Sequence, residues 1–168
     1  RFDTRASSGV FVLCEGNFMY GNASLGYYDT ATGEVQNNIF FRANGARLGD
    51  VAQSVTLYEG LLYVVVNNSG VVYVMNPDTF EVQGIIRNLV SPRYIHFVSD
   101  KKAYITDLYA GKITIVNPQT LAVTGTIDTG AHKSTERMAQ WGRYLFVACW
   151  SYDDKVLVID TQTDEIVR

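Results

Sequence analysis

Residues 112–127 read KITIVNPQTLAVTGTI, two alternating stretches around the turn Asn117-Pro118-Gln119-Thr120. The same unit occurs four times, because turns of the form [DN]-x-x-T, each followed three residues later by Val or Ile, also begin at Asp29, Asn76 and Asp160. An Asp or Asn side chain can accept a hydrogen bond from a backbone N–H two residues on, and Pro pre-sets a type I turn. The pattern therefore predicts one β-hairpin copied four times.

The four turns recur about every 40 to 50 residues, a period typical of four-stranded propeller blades. We therefore expect an all-β fold, a β-propeller with four-stranded antiparallel blades. About four repeats are present, as a single partial ring over residues 1–168. The predicted repeats cover about residues 1–42, 43–87, 88–128 and 129–168.

The strands A, B, C and D of each repeat are predicted from runs rich in Val, Ile, Tyr and Phe. They lie at residues 53–57, 61–67, 71–76 and 81–86 in the second repeat, at 94–98, 103–107, 112–117 and 122–127 in the third, and at 137–141, 144–150, 155–160 and from 165 onward in the fourth. The first repeat shows B, C and D at 9–15, 24–29 and 34–41, but Arg1–Arg5 lacks the alternation expected of strand A. Helices are essentially absent, with one short helical turn predicted within Ala131–Met138.

The incomplete first and last repeats leave two explanations open. Either the parent protein is longer and this chain is its N-terminal half, or two such chains close one ring together. Closure of four blades within one chain gives no account of the missing strand A, and open sheet edges must be covered. We favour the longer parent, with closure by two copies as the alternative.

Composition limits the class of protein. The chain is 47% hydrophobic and 18% charged, typical of a globular domain, and no apolar run approaches the roughly 18 residues of a membrane span. The net charge is -3 and the sequence has no Lys or Arg cluster, so it does not predict a basic surface that would bind nucleic acid. Cys14 and Cys149 occupy the same position in different repeats, which predicts two unpaired, mostly buried thiols in separate sheets.

Propeller connectivity sorts the loops onto two faces. The A-to-B and C-to-D connections are tight turns, whereas the B-to-C and D-to-A connections are longer and more varied. The second set lies at residues 16–23, 67–70, 108–111, 151–154, 42–50, 87–91 and 128–135. Because recognition tends to reside on varied loops carried by a rigid scaffold, we expect this face to bind a ligand.

Aromatic and Arg side chains, the usual constituents of recognition hot spots, are frequent on that face. The predicted ligand-binding residues are Tyr20, Arg93, Tyr94, Tyr109, Glu136, Trp150 and Tyr152. Tyr94 and Glu136 align with Gln53 at the start of strand A, where they either line the mouth of the central channel or plug it by hydrogen bonds. The alternative for the aromatic residues is that they pack the loops against the blade ends.

Catalytic patterns are thin in this sequence. His96 lies in an apolar strand, which favours a satisfied core histidine, and His132 is a single loop histidine. Asp107 and the pair Asp153-Asp154 lack the Asp ladder of a calcium loop. We therefore expect no enzyme activity, no metal and no cofactor.

The alternating strands YVVVNN (residues 63–68) and AYITD (103–107), together with hairpins of the form V-x-[DN]-x-x-T, resemble the YVTN or YncE-like β-propellers. The strings RFDTRASSG, GDVAQS, VNNS, SPRYIHF and CWSY are similar to propellers of the surface-layer protein type in gut anaerobes. The relatives of those propellers include outer-membrane lipoproteins that capture cobalamin and hand it to a TonB-dependent transporter.

The resemblance implies a cell-surface propeller that binds a ligand, with a corrinoid as the candidate ligand and an outer-membrane transporter as the candidate partner. It implies a location at the cell surface or outer membrane, with the periplasm as the alternative. A structural or protein-interaction module of the cell envelope, without a small ligand, is the second hypothesis. A third, an enzyme of the lactonase or quinoprotein kind, lacks the convergent acidic or His ligands that it requires.

Overall fold

Four antiparallel β-sheets, one for each copy of the hairpin motif, make up the part of the chain that the computed structural model describes, residues 8–168. The chain divides between Arg87 and Asn88 into two compact units, each with two sheets. In every sheet the strands follow one another in chain order, which is the meander of a propeller blade. The predicted all-β fold with four-stranded blades is confirmed.

The strand bounds agree with the predicted strands within a few residues, except in the first repeat. The first unit contains β1 (Gly9–Cys14), β2 (Ser24–Asp29), β3 (Val35–Gln36), α1 (Ile39–Asn44), β4 (Ala52–Tyr58), β5 (Leu61–Val66), β6 (Val71–Met75) and β7 (Val82–Ile86). The second contains β8 (Pro92–Ser99), β9 (Lys102–Asp107), β10 (Lys112–Val116), β11 (Val123–Asp128), β12 (Thr135–Trp141), β13 (Tyr144–Cys149), β14 (Lys155–Asp160) and β15 (Glu165–Ile166).

The turn of each hairpin is held by its leading Asp or Asn, as the motif predicts. An Oδ1 atom accepts a hydrogen bond from the N–H two residues on in all four: at 2.8 Å in Asp29 and Asn76, 2.9 Å in Asn117 and 3.0 Å in Asp160. These side chains replace water as partners of turn N–H groups, so they fix where each C strand ends and each D strand begins.

A second feature of these turns escaped the sequence motif. The residue after the Thr has a left-handed backbone in every copy, with φ of 73° at Gly33, 62° at Phe80, 59° at Leu121 and 58° at Asp164. A type I turn followed by a left-handed residue forms a bulge in the hairpin. The strand register shifts accordingly at Val74/Met75 and at Ile115/Val116 in the second and third blades.

We expect Asn117→Ala to lower the free energy of unfolding by about 1 kcal/mol, because the N–H of Gln119 loses its acceptor at the tightest point of the turn. Urea denaturation followed by far-UV circular dichroism measures the change. Asn117→Asp is the matched control, since its carboxylate keeps an acceptor oxygen and should keep the stability within a few tenths of a kcal/mol. An alanine variant as stable as the natural chain would show that the turn does not depend on this side chain.

The first repeat departs from the predicted D strand at residues 34–41. Strand β3 has only two residues, and the chain then forms helix α1, which buries Ile39 and Phe40 in the core of the first unit. The side chain of Asn44 ties this helix to the next blade, because its Nδ2 donates to the carbonyl oxygen of Phe80 and its Oδ1 accepts from the N–H of Val82, both at 2.9 Å. These non-local bonds stabilise a helix that is too short to form alone.

One further prediction is wrong. The predicted helical turn within Ala131–Met138 is a turn followed by strand β12 from Thr135. The stretch Arg1–Arg5, predicted to lack strand A, lies outside the described residues, and within residues 8–168 the first sheet has three strands. Among these residues no helix is long and apolar enough to cross a membrane.

The two cysteines are unpaired and lie in separate sheets, on β1 and β13, as predicted. Their burial differs from the expectation, because Cys14 is exposed and only Cys149 is buried. Burial, together with a smaller effect of the nearby carboxylates of Asp153 and Glu136, raises the pKa of the Cys149 thiol to about 11. A thiol in this state is protonated at neutral pH and is a poor nucleophile.

Candidate functional site

Six of the seven predicted ligand-binding residues belong to the second unit, on β8, β12 and the loops that follow β9 and β13. The seventh, Tyr20, lies in the first unit on the loop between β1 and β2, where its side chain is 71% exposed. Gln53, predicted to align with Tyr94 and Glu136, also belongs to the first unit. The candidate site described below therefore consists of residues of the second unit.

The loop after β13, residues 150–154, is held at three points. The Ser151 hydroxyl donates to Oε1 of Glu136 at 3.1 Å, and the N–H of Tyr152 donates to the Ser134 hydroxyl oxygen at 3.1 Å. The carboxylate of Asp153 bonds Nδ1 of His132 at 2.6 Å. This last bond lowers the pKa of the Asp153 carboxyl. Three separate anchors fix the backbone that carries Trp150 and Tyr152.

The loop after β9, residues 108–111, is organised by the buried carboxylate of Asp107. Its Oδ1 accepts hydrogen bonds from the N–H groups of Tyr109 and Ala110 at 3.0 and 2.9 Å, and its Oδ2 accepts from the N–H of Ser91 at 2.8 Å. The hydroxyl of Thr135 accepts a hydrogen bond from the backbone N–H of Asp107 and donates one to its backbone carbonyl oxygen, both at 2.9 Å. Asp107 is therefore a structural residue that sets the position of Tyr109.

The rings of Tyr109 and Tyr152 meet across these two loops. Their hydroxyl oxygens are 3.1 Å apart and their ring centroids 5.9 Å apart. The hydrogen bond to Tyr152 raises the pKa of the Tyr109 phenol, and the positive charge of Arg93 acts in the opposite direction. Both rings stay open to solvent, since Tyr109 is 53% and Tyr152 67% exposed. Trp150 lies two positions before Tyr152 on the same loop and is 68% exposed, and these three exposed residues are called the aromatic group below.

A buried ion pair lies behind the aromatic group. Nε of Arg93, on β8, donates to Oε2 of Glu136, on β12, at 2.7 Å, and the Glu136 side chain is 1% exposed. The second carboxylate oxygen of Glu136 accepts the Ser151 bond described above, so both oxygens have partners. The same carboxylate therefore joins the inner strands of two blades to the loop of Trp150 and Tyr152.

Tyr94 serves a different part of the inner strands. The guanidinium carbon of Arg137 lies 4.9 Å from the ring centroid of Tyr94, a cation–π arrangement. The backbone N–H of Tyr94 donates to the Thr106 hydroxyl oxygen at 3.1 Å. Tyr94 and Arg137 line a cavity of about 130 Å³ together with His96. The histidine bonds Oε1 of Gln140 through Nε2 at 2.9 Å, so it has a hydrogen-bond partner, as expected. It is only half-buried, however, so it is not the core histidine that the sequence predicted.

Sequence reasoning missed the residues that support the loops, chiefly Ser134, Thr135 and Ser151. A small hydroxyl residue in a loop carries no distinctive pattern, and its partners here are 15 to 28 positions away in the sequence. The pairing of His132 with Asp153 was equally invisible, although both residues were noted singly. Within residues 8–168 no group of three His, Cys, Asp or Glu side chains is placed to hold a metal ion.

The sequence profile of DUF5074, described as a domain of unknown function, matches residues 8–168. The chain belongs to this family. No curated protein matches the chain. The family description leaves the activity open, so the geometry of the site has to support any functional conclusion.

Among solved structures the chain is similar to several propeller proteins. Hydrazine synthase of Kuenenia stuttgartiensis is 17% identical, with a TM-score of 0.69 over 86% of this chain and 42% of that chain. BamB from Moraxella catarrhalis is 14% identical, with a TM-score of 0.68 over 99% of this chain and 47% of that chain. The dihydro-heme d1 dehydrogenase NirN is 14% identical, with a TM-score of 0.61 over 93% of this chain and 36% of that chain.

At these identities the likeness shows the fold alone, and that fold is a β-propeller. The chain spans less than half the length of each of these three proteins.

Proposed function

We propose that the chain is a non-enzymatic ligand-binding module whose ligand stacks on the aromatic group of Tyr109, Trp150 and Tyr152. The observation that carries the proposal is the exposure of these three rings on loops held by buried and part-buried hydrogen bonds. Tyr and Trp offer large, rigid contact area, and a loop that is already ordered loses little entropy on binding. The Arg93–Glu136 pair holds the loop of Trp150 and Tyr152 in place through the bond from Ser151 to Glu136.

A corrinoid is the ligand that we propose for this group. Its flat macrocycle offers a face for stacking on aromatic rings, and its rim of amide groups offers donors and acceptors. The resemblance of the repeats to surface-layer propellers, and through them to cobalamin-capturing lipoproteins, supports this ligand. It also supports a location at the cell surface or outer membrane, with the periplasm as the alternative, and delivery to a TonB-dependent transporter.

The second candidate function is a protein-interaction module without a small ligand. One observation favours it: Trp150 and Tyr152 are each about two-thirds exposed, and such residues are the commonest hot spots of protein interfaces. Both functions use the same surface, so only a ligand titration separates them.

We expect Trp150→Ala to weaken cyanocobalamin binding by about thirtyfold, because removing a stacked indole from a hot spot costs about 2 kcal/mol. Isothermal titration calorimetry measures the affinity. Trp141→Ala is the matched control, since Trp141 is 79% exposed but is the last residue of β12, next to the tight turn at the other end of β12 and β13. Its loss should leave the affinity unchanged, and both variants should melt close to the natural chain.

The same pair of variants locates the ligand directly. The chain has two tryptophans, so Trp141→Ala leaves Trp150 as the sole tryptophan fluorophore, and Trp150→Ala leaves Trp141. A corrinoid on the aromatic group should quench the fluorescence of the first variant and spare that of the second. Absence of heat and of quenching with the natural chain would overturn the corrinoid proposal and favour the protein-interaction function.

A further inference from the structure

The first unit holds a cavity of about 330 Å³ on the outer side of its first sheet. Three segments line it: the start of β2 with the residues before it, the start of helix α1, and the connection from α1 to β4. Its volume falls at the lower end of the range of about 300 to 1,000 Å³ that is typical of small-molecule sites. None of the residues placed in the candidate site of the second unit lines it.

The short outer strand explains why the cavity exists. Strand β3 pairs only with Tyr27 and Tyr28, whereas the corresponding strands β7 and β11 have five and six residues. Within residues 8–168 the outer edge of β2 at residues 24–26 therefore has no strand beside it. The chain turns into α1 instead, and the space that a longer β3 would fill remains open between β2 and the helix.

The floor of the cavity is apolar and its rim is polar. Leu25, Phe40 and Leu48 form the floor and are at most 2% exposed, and the 53% exposed ring of Phe41 lies at the rim. The polar residues of the rim are Asn22, Ser24, Asn38 and Arg47. No Asp or Glu of the described chain lines the cavity.

The rim offers hydrogen-bond donors in excess. Within residues 8–168, the Arg47 guanidinium makes no ion pair, and the Asn38 side chain makes no hydrogen bond even though it lies at the start of α1. The Oδ1 of Asn22 accepts from the N–H of Asn17 at 2.7 Å, which leaves the NH₂ group of Asn22 as a donor. A guanidinium and two amide NH₂ groups around an apolar floor suit a ligand with an anionic, acceptor-rich end.

We propose that this cavity binds a small monocarboxylate that carries a single aromatic ring. The carboxylate bonds Arg47 and the amides of Asn22 and Asn38, and the ring rests on Phe40, Leu25 and Leu48 under the edge of Phe41. The volume admits one ring with a short carboxylate arm and excludes a macrocycle, so this site is separate in ligand and in place from the aromatic group of the second unit.

The test uses three probes with the same phenyl ring and a short arm of different charge: the anion phenylacetate, the neutral phenylacetamide of the same shape, and the cation phenethylamine. We expect phenylacetate to bind best, the neutral amide about tenfold more weakly, and the amine not at all, because hydrogen bonds to charged groups contribute more than neutral ones. Two-dimensional ¹H–¹⁵N NMR of the chain measures the affinities and should show shifts at Gly21, Ser24 and Leu48. Equal binding of the three probes, or shifts confined to other residues, would overturn the proposal.

Two variants with little structural cost test the rim. Arg47→Gln keeps a polar side chain of similar reach and should weaken phenylacetate about tenfold while leaving phenylacetamide unchanged. Asn38→Gly removes an amide where the backbone φ is already 53°, a conformation that glycine adopts without strain, so it should lower affinity without unfolding the chain. Arg87→Gln, an exposed arginine of the same unit, is the control and should bind phenylacetate normally.

Cross-titration distinguishes this site from the one proposed for the second unit. Trp150→Ala should leave phenylacetate binding unchanged, and Arg47→Gln should leave cyanocobalamin binding unchanged. An Arg47→Gln variant that binds phenylacetate as well as the natural chain would overturn the assignment, whatever the outcome with the corrinoid.

Discussion

Replacing Arg93 by methionine should lower the free energy of unfolding by about 3 to 5 kcal/mol, the cost of breaking a buried ion pair from one side. Methionine keeps an unbranched apolar stem and removes the charged guanidinium, so Glu136, 1% exposed, loses its ionic partner and keeps the bond from Ser151. A carboxylate stranded in a poorly solvated site is costly because its desolvation is no longer offset. Urea denaturation monitored by far-UV circular dichroism measures the loss.

Two further variants make this prediction specific. Lys155→Met removes a cation from the exposed pair with Asp154, whose side chains are 57% and 85% exposed, and should cost far less, because water screens such a pair. The double variant Arg93→Met/Glu136→Gln should recover part of the loss, since it removes the stranded charge as well. If Arg93→Met costs no more than Lys155→Met, the pair contributes nothing beyond a surface contact.

The ion pair also links stability to the candidate site. Glu136 accepts a hydrogen bond from the Ser151 hydroxyl, so disturbing the Arg93–Glu136 pair should loosen the loop between Trp150 and Tyr152. In Arg93→Met we therefore expect weaker ligand binding under conditions where the chain is still folded. Arg93 therefore affects ligand binding indirectly, through the position of the loop that carries Trp150 and Tyr152.

The hairpins were predictable from sequence because their determinants are local. The Asp or Asn at the head of each turn bonds a backbone N–H two residues away, so the spacing that the sequence displays is the spacing that the structure uses. The alternation of β10 and β11 predicted that these two strands pair, whereas the register that sets Ile113 opposite Ile127 also depends on the bulge at Ile115/Val116, which the motif did not show. Local chemistry of this kind is readable in a single sequence.

The structure differs from the sequence-based prediction where contacts with residues far away in the sequence determine the local conformation. Residues 34–41 have the apolar content of a D strand, yet the chain forms a helix there because Asn44 finds partners at Phe80 and Val82, more than 30 positions away. No pattern within the segment shows that contact. The cavity beside α1 is a consequence of this substitution of a helix for a strand, so it too was hidden from the sequence.

The candidate site was predictable in its aromatic members and hidden in its supports. Tyr109, Trp150 and Tyr152 stand out as large aromatic residues in loops of a β-repeat. Their contacts depend on Asp107, Ser151 and Thr135, which are common polar residues whose roles require the positions of neighbouring blades. The pairing of Arg93 with Glu136 required the alignment of two inner strands, β8 with β12.

Replacing Phe80 by alanine should lower the free energy of unfolding by about 3 to 5 kcal/mol, the usual cost of a Phe→Ala cavity in a core. Phe80 is fully buried, and its ring meets Phe11 edge-on at a centroid distance of 6.0 Å and Tyr27 at 6.3 Å. Phe11 and Tyr27 belong to the first blade and Phe80 to the second, so the side chain joins the two sheets of the first unit. Its loss removes apolar burial and leaves a void between them.

Leu121→Ala is the matched control for this prediction. Leu121 occupies the same hairpin position in the third blade with a φ of 59°, against 62° for Phe80, so alanine meets the same left-handed backbone in both variants. Leu121 is only half-buried, and we expect its replacement to cost about 1 kcal/mol. Urea denaturation measures the loss of unfolding free energy in both variants. The difference between the two losses gives the cost of the cavity, separated from the cost of placing alanine in a left-handed backbone. Equal losses would mean that the turn conformation, and not the packing of Phe80 between the sheets, stabilises the first unit.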